Sequence, residues 1–354
     1  MTSTELKKNR PVAIWLYIGA IMIIIQVLLG GITRLTGSGL SITEWQPILG
    51  TLPPMNEKAW IEAFDKYKEI EQYKQINSHF SLSDFKSIYF WEWLHRDWAR
   101  LMGLVFIFPF IYFVVKKKIN RSMIKPMIVL FLLGALQGLI GWIMVKSGIN
   151  TENVYVSHIR LAIHFMAALV LLCYVVWFAL KLTIAAEKIQ HVPNLKKLNT
   201  ALLVLIIIQL IYGAFMAGTH AANAALTWPD INGTYLPSQL FTEGSFLADI
   251  THNLITIQFI HRNLAYIIAI LVFVWWVKSK NIPKASPLYA IRHLPLILIL
   301  IQVFLGVLTL LNSLGDSLLV LGVLHQFFGM MILLVFVIIL FFNRKTGLIK
   351  QNAI

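Results

Sequence analysis

Apolar residues along this chain gather in eight stretches separated by shorter polar segments. Each stretch is roughly 20 residues long, which is the length an α-helix needs to cross about 30 Å of hydrocarbon. The stretches occupy residues 12–31, 95–115, 123–145, 158–181, 199–218, 257–277, 293–312 and 318–342. The pattern therefore predicts an all-α polytopic membrane protein with eight transmembrane helices.

The basic residues indicate which side of the membrane each connection faces. Lys and Arg concentrate before the first stretch, after the last, and in the second, fourth and sixth connections, whereas residues 219–258 contain neither. Because cytoplasmic loops carry an excess of Lys and Arg, both termini are predicted to be cytoplasmic. The long connections 32–94 and 219–256 are predicted to face outward. The first residues match no cleavable signal or transit peptide, which favours a bacterial inner membrane.

The composition indicates a membrane protein and argues against nucleic-acid binding. The chain has 354 residues, of which 58% are hydrophobic and 13% charged, and a net charge of +14. That charge would suit nucleic acid, but the cations lie in short loops between apolar stretches, so the predicted surrounding is a lipid bilayer and no nucleic acid is expected. The single cysteine, Cys173, excludes an intrachain disulfide.

The two halves of the chain repeat one another. Aligned positions are Gln26 with Gln209, His95-Arg96-Asp97 with His261-Arg262-Asn263, Gln137 with Gln302, Gly141 with Gly306, and His164 with His325. Four stretches per half predict two pseudo-symmetric four-helix bundles, related by an axis along the membrane normal. The expected division is an N-terminal segment 1–11, a first bundle 12–183, a linker 184–198, a second bundle 199–343 and a tail 344–354.

Four histidines lie within or at the edge of the apolar stretches. Ionisable residues inside a membrane are costly and mark function. The four are His95, His164, His261 and His325, two per half. Two histidines from different helices of one bundle can bind haem iron as axial ligands. The sequence therefore predicts two haem sites, with His95 and His261 near the first turns of their helices.

Zinc fits the four histidines less well, because Cys or acidic companions at tetrahedral spacing are missing. His158 is an alternative third ligand, although a position at the membrane interface suits it better. The remaining histidines are predicted to be solvated: His79, His191, His220, His252 and His293.

Glu92 stands three residues before His95, on the same face if the helix begins early enough. A carboxylate beside haem can move protons or stabilise positive charge, but an acid at a helix N-terminus is an equally good interpretation. Gln258 takes this place in the second half, so the first site is predicted to be catalytic and the second a fixed electron carrier.

Three arginines are further candidates for anion binding. Arg96 and Arg262 adjoin the shallow histidines, where they either pair with haem propionates or extend to lipid headgroups. Arg34, in the glycine-rich segment 30–41, can contact an anionic group. Residues 56–76 carry aromatic residues at helical spacing, which predicts a helix on the outer surface whose aromatic stripe packs or anchors at the interface.

Together these features resemble the haem A synthase family. The resemblance is carried by GGITRLTGSGLSITEWQPILGTLPP at 30–54, FKSIYFWEWLHR at 85–96, FIHRNLAY at 259–266 and VLHQFFG at 323–329. The long first loop and the lack of a cysteine pair in it resemble the form found in alphaproteobacteria and mitochondria. At His220, Ala222 and Leu226 many relatives have Arg, Gly and Asn, which puts any contact made by that Arg in question.

The resemblance implies an oxidoreductase that oxidises the C8 methyl of haem O to a formyl group, by way of an alcohol, to give haem A for cytochrome oxidase. It implies that His95 and His164 serve the substrate haem, that His261 and His325 hold haem b, and that Glu92 lies beside the substrate. Implied partners are the farnesyltransferase that makes haem O, oxidase assembly factors and an unidentified electron acceptor; a homo-oligomer is left open.

Two other functions remain open at this point. A di-haem b-type cytochrome would carry electrons without changing the porphyrin, although a glutamate in one half only argues against it. A transporter built on the repeat would use the histidines as a proton relay, and would show broken helices and no haem absorbance.

Overall fold

A computed structural model describes residues 3–44, 49–149, 152–189 and 192–344 of the chain. Within these ranges the chain forms helices joined by turns and contains no β-strand, which confirms the predicted all-α class. Residues 45–48 of the first family-like segment, His191, and the predicted tail beyond Arg344 lie outside the described residues.

Eight helices of the described chain are long and apolar enough to cross a membrane, which confirms the predicted number. They are α1 (Ser3–Leu35), α3 (Leu82–Val115), α4 (Arg121–Lys146), α5 (His158–Thr183), α6 (Pro193–Thr219), α8 (Leu254–Lys278), α10 (Leu294–Leu311) and α11 (Leu318–Phe342). Three shorter helices are α2 (Glu57–Lys68), α7 (Phe246–His252) and α9 (Pro287–Ile291).

Helix α3 begins well before the apolar stretch that predicted it. Its start is fixed by a capping box, in which Ser81 Oγ accepts from the Asp84 amide at 3.3 Å and the Asp84 carboxylate accepts from the Ser81 amide at 2.9 Å. Helix α8 likewise begins early, at Leu254. The prediction that His95 and His261 lie in the first turns is therefore wrong, since both lie well inside their helices.

The long helices pack in a connected pattern. In the first half α1 packs against α3 and α5, and α4 packs against α5. In the second half α6 packs against α8 and α11, and α10 packs against α8 and α11. Helices α1, α5, α6 and α11 meet in the middle and share the largest apolar core. The other long helices pack around these four: α3 on α1, α4 on α5, α8 on α6 and α10 on α11.

Pro109 lies inside α3 without breaking it. Proline has no N–H, so the carbonyl of Val105, four residues earlier, loses its helical partner. Trp15 of α1 donates its Nε1–H to that carbonyl at 2.8 Å. This bond satisfies a partly buried acceptor and fixes α1 against α3.

The predicted surface helix at 56–76 is shorter than expected, because α2 ends at Lys68. Its aromatic stripe packs onto the early part of α3: Phe64 and Tyr67 lie 5.0 and 5.3 Å from the ring of Phe85. Burial raises the pKa of Tyr67 to about 12, so its hydroxyl stays protonated and donates to Gln72 at 3.0 Å. The predicted packing role of the stripe is confirmed.

Candidate functional site

A continuous cavity of about 970 Å³ lies between the long helices and reaches both halves of the chain. Its volume is at the upper end of the range for small-molecule pockets, roughly 300–1,000 Å³. Every residue that the sequence singled out for binding or catalysis lines it: His95, His164, His261, His325, Glu92, Arg34, Arg96 and Arg262. The sequence predicted two separate sites, whereas the structure joins their surroundings in one space.

The histidines of the second half face each other across this space. The rings of His261 on α8 and His325 on α11 have centroids 6.5 Å apart and planes 74° apart. In the first half, His95 on α3 and His164 on α5 line the same cavity. Two imidazoles on facing helices at such a separation leave room for one metal atom between them, which is the arrangement of a bis-histidine haem.

A glycine on a neighbouring helix lies directly against each histidine ring. A Cβ added at Gly141 would stand 2.8 Å from Cε1 of His164. One added at Gly306 would stand 2.9 Å from Cε1 of His325. The corresponding distances are 3.2 Å from Gly30 to His95 Nε2 and 3.4 Å from Gly213 to His261 Cε1. Any larger residue at the two tightest positions would push the ring away.

A glutamine stands four residues before each of these glycines, on the same helical face. Three donate from Nε2 to the backbone carbonyl of the adjacent histidine: Gln26 to His95 at 3.1 Å, Gln137 to His164 at 3.1 Å and Gln209 to His261 at 3.0 Å. The fourth places Nε2 of Gln302 3.4 Å from Nε2 of His325. Among the described residues, Oε1 of all four glutamines is buried without a partner.

Sequence reasoning missed this second layer. It aligned two pairs of the glutamines between the halves but did not connect them with the histidines. The signal was present as Gln-x-x-x-Gly, which occurs at Gln26, Gln137, Gln209 and Gln302, once on each helix that faces a histidine.

Glu92 is 2% exposed and both its oxygens are engaged. Oε2 accepts from Ser41 Oγ and from the Ile42 amide, each at 2.8 Å, and Oε1 accepts from Arg96 at 2.6 Å. Because α3 begins at Leu82, the interpretation of Glu92 as an acid at a helix N-terminus is wrong. It is a buried, ion-paired carboxylate at the cavity wall.

The two arginines beside the shallow histidines hold loops instead of extending to lipid headgroups. Arg96 donates to the carbonyls of Ile42 at 2.9 Å and Glu44 at 3.1 Å. Arg262 donates to the carbonyls of Thr227 at 3.1 Å, Pro229 at 3.2 Å and Asp230. Each half thus closes over its cavity with a loop that an arginine ties down.

Gln258, the counterpart of Glu92, also binds its loop, with Nε2 donating to the carbonyl of Ala225 at 2.8 Å. The contact is neutral, whereas Glu92 brings a carboxylate paired with Arg96. The two halves therefore present different charge at matching places.

Arg34 and His220 meet where the two halves adjoin. Among the described residues the Arg34 guanidinium lines the cavity without a hydrogen-bond or ion-pair partner. His220 also lines the cavity, with its ring 4.7 Å from that of Tyr155. The prediction that His220 is solvated is wrong. Burial, and then the nearby charge of Arg34, lower the pKa of His220 to about 4, so its ring is neutral at pH 7.

The other histidines of the described residues lie away from the cavity. His158 begins α5 and its Nε2 bonds to the carbonyl of Thr251 at 2.7 Å, so it is not a third ligand. His79, His252 and His293 are exposed, as predicted.

Comparisons with known proteins agree with this geometry. The chain is 43% identical over 326 residues to a protein of Flavobacterium psychrophilum named heme A synthase, covering 91% of this chain and 94% of that protein. It is 40% identical over 332 residues to the heme A synthase of Flavobacterium johnsoniae, covering 92% and 96%. A heme A synthase of Wolbachia pipientis is 41% identical over 322 residues, covering 90% and 89%.

A family model described as cytochrome oxidase assembly protein, COX15-CtaA, matches residues 13–337, which include all eight long helices in whole or in large part. The chain therefore belongs to the COX15-CtaA family of cytochrome oxidase assembly proteins.

Proposed function

We propose that this chain is a haem A synthase, a multi-pass membrane oxidoreductase that converts the C8 methyl of haem O, by way of an alcohol, to the formyl group of haem A. The observation that carries the proposal is the meeting of two histidine pairs, from four different helices, on one apolar-walled cavity. The names of the relatives support the same reaction.

The residues present fit two haems. Glycines leave no side chain between helix and ring at His164 and His325, and buried amide oxygens without partners surround both pairs. We assign His95 and His164, in a first bundle formed by 12–183, to the substrate haem. His261 and His325, in a second bundle formed by 199–343, are assigned to a resident haem b. That cofactor would supply one-electron redox chemistry, while the protein holds and orients the macrocycles.

Gln137 and Gln209, whose amides lie within hydrogen-bond distance of a ring Nδ1, would set the tautomer of His164 and His261. If the Gln137 amide turned, Oε1 would accept the ring N–H from Nδ1 of His164, now 3.2 Å from Nε2, in exchange for the bond from Nε2 to the His164 backbone carbonyl. Nε2 of the ring is then left with its lone pair for iron. Partners of this kind orient a ligating ring and raise its basicity.

Glu92 would act on the substrate through its charge. The carboxylate stands at the wall of the cavity that His95 lines, and its three hydrogen-bond donors fix it in place. A fixed negative charge stabilises positive charge that develops nearby in a transition state. Gln258 offers no such charge, so the oxidation is assigned to the first half.

Arg34 would bind an anionic edge of the substrate. Its guanidinium lines the cavity and is unpaired among the described residues, and haem propionates are the anions a haem substrate would bring. Arg96 and Arg262, whose donors hold loop carbonyls, would approach propionates only through their remaining N–H groups.

The distribution of Lys and Arg supports a bacterial inner membrane with both termini in the cytoplasm. The partners proposed are the farnesyltransferase that makes haem O, factors of cytochrome oxidase assembly, and a separate electron acceptor.

Haem identification tests the proposal. The protein is purified from cells that also make haem O, and its haems are extracted and identified by chromatography and mass. Haem A or its alcohol precursor, together with haem b, is the expected result. Haem b alone would overturn it in favour of a di-haem electron carrier, and no haem at all would favour the transport alternative.

A further inference from the structure

The two halves differ in how one pair of helices meets. In the second half α8 packs against α10. The corresponding helices of the first half are α3 and α4, which pack on α1 and α5 respectively. Over their described residues, 82–115 and 121–146, α3 and α4 make no comparable contact with each other. A seam between α3 and α4 is therefore left without interlocking side chains.

The cavity wall is exposed along this seam. Ala99, Gly103 and Ile107 follow one another at four-residue spacing on α3, line the cavity, and are exposed. Ile107 is 45% exposed. Residues with one side in a cavity and the other on the membrane-facing surface mark an opening.

Helix α4, on the other side of the seam, also carries residues that both line the cavity and are exposed. Phe131, Gly134 and Gly138 share one helical face, line the cavity and are exposed. Phe131 is 56% exposed, and a Cβ added at either glycine would meet nothing within 4 Å. The seam is thus wide at the two glycines.

The second half fills the same places with bulk. Gly306 lies against Cε1 of His325 as Gly141 lies against Cε1 of His164, and each glycine follows a glutamine by four residues, which fixes the alignment of α10 with α4. In that alignment Ile299 stands for Gly134 and Val303 for Gly138. Ile299 lines the cavity and is 5% exposed. Large side chains close the second seam, and their absence opens the first.

A buried amide oxygen without a hydrogen-bond partner lies behind the open seam. Oε1 of Gln137, which lines the cavity, is buried and has no hydrogen-bond partner among the described residues. Buried polar groups without partners are rare and indicate a bound group. The opening therefore leads to the part of the cavity that His95 and His164 line.

We propose that the seam between α3 and α4 is a lateral portal through which a membrane-dissolved haem with a long isoprenoid tail enters and leaves the first site. The inference rests on the proposed function and concerns the route to its substrate site. A flat apolar macrocycle bearing such a tail resides in lipid, where an opening between two helices admits it sideways. The tail lies in the seam, against Gly134 and Gly138. The closed seam of the second half retains its haem.

The test transplants the closed seam into the first half. Gly134→Ile and Gly138→Val are made together in the full chain, which is then placed in lipid nanodiscs with its resident haem. Phosphatidylcholine vesicles carrying haem O supply the ligand, and haem arrival is followed by Soret absorbance. Leu132→Phe with Leu136→Phe is the matched control, because both leucines are exposed on α4 and neither lines the cavity. Gly138→Ala alone adds a single carbon and serves as the mild variant.

We expect the double variant to take up haem O more slowly by about tenfold or more, corresponding to a raised barrier. Release should slow equally, final occupancy should be unchanged, and the control pair should match the wild type. Gly138→Ala should give an intermediate rate.

Uptake by the double variant as fast as by the wild type would overturn the portal while leaving the proposed function intact. A fall in final occupancy in proportion to the rate would also overturn it, since the added side chains would then fill the site itself. A wild type that takes up no haem O at all would instead overturn the proposed function and the portal with it.

Discussion

At the residue scale, a glycine and a glutamine lie against each histidine at the cavity, and the sequence alone does not reveal these contacts. The histidines are visible because a titratable group in an apolar stretch is costly. Their glutamine and glycine partners are not, because Gln-x-x-x-Gly is an ordinary pattern until the structure places it against a ring. The histidines at the cavity could therefore be predicted from sequence, and the groups that lie against them could not.

Gly306→Ala tests the contact between glycine and ring. The added Cβ would lie 2.9 Å from Cε1 of His325 and force the ring aside. Haem at the second pair should be held roughly tenfold to a hundredfold less tightly, as when other supports of a metal ligand are removed. Haem titration of the purified protein measures this. Gly19→Ala is the control, because Gly19 also lines the cavity but its Cβ would meet nothing within 4 Å.

Glu92→Gln makes the first half resemble the second. Haem should still bind, while the yield of haem A falls by roughly 10²- to 10³-fold, the effect of removing one stabilising group from a transition state. Haem extraction after growth with haem O gives both quantities from one sample. Asp97→Asn removes a charge from the same helix, where Asp97 pairs with Arg100, and should retain the yield. Full haem A yield from Glu92→Gln would exclude the charge as a catalytic element.

At the element scale, the start of α3 shows what hydropathy leaves out. The stretch 82–94 carries charged and polar residues and was assigned to a loop, yet the capping box at Ser81 and Asp84 starts the helix there. The extension places Glu92 and Arg96 one turn apart, as an ion pair. Ser81 and Asp84 are a capping signal visible in the sequence, but hydropathy alone does not detect it.

The contact between Trp15 and Val105 depends on Pro109, and a double-mutant cycle tests that dependence. Trp15→Phe leaves the carbonyl of Val105 unpaired, which should lower the free energy of unfolding by about 1 kcal/mol or more. In a Pro109→Ala background the helix supplies its own N–H, so the same change should cost less. Thermal unfolding in detergent measures all four proteins. Equal costs in both backgrounds would show that the two features are independent.

At the scale of the whole molecule, the halves place the same residue types around their histidines but differ in a few side chains nearby. The alignment of the halves predicted matching histidines, and the structure gives each one a glycine and a glutamine at matching places. Charge at Glu92 and open space at Gly134 distinguish the first half. The exchange of glycine for isoleucine is plain in the alignment, but only helix packing reveals that it opens a seam.

The orientation of the whole chain is a separate prediction. A reporter domain fused after Arg344 or before the first helix should show a cytoplasmic location, because Lys and Arg cluster at both ends. A reporter inserted near Glu243, in a segment without Lys or Arg, should be active only on the other side. The same pattern of activity at all three sites would contradict the assigned topology.

The central claim is that the first histidine pair serves substrate and the second holds a resident cofactor. Its most direct test is the haem content of His164→Ala and His325→Ala, each purified from cells that make haem O. We expect His164→Ala to retain haem b and to lose haem O and haem A, whereas His325→Ala should lose haem b. Equal loss of all haems from both variants, or the reverse assignment, would contradict it.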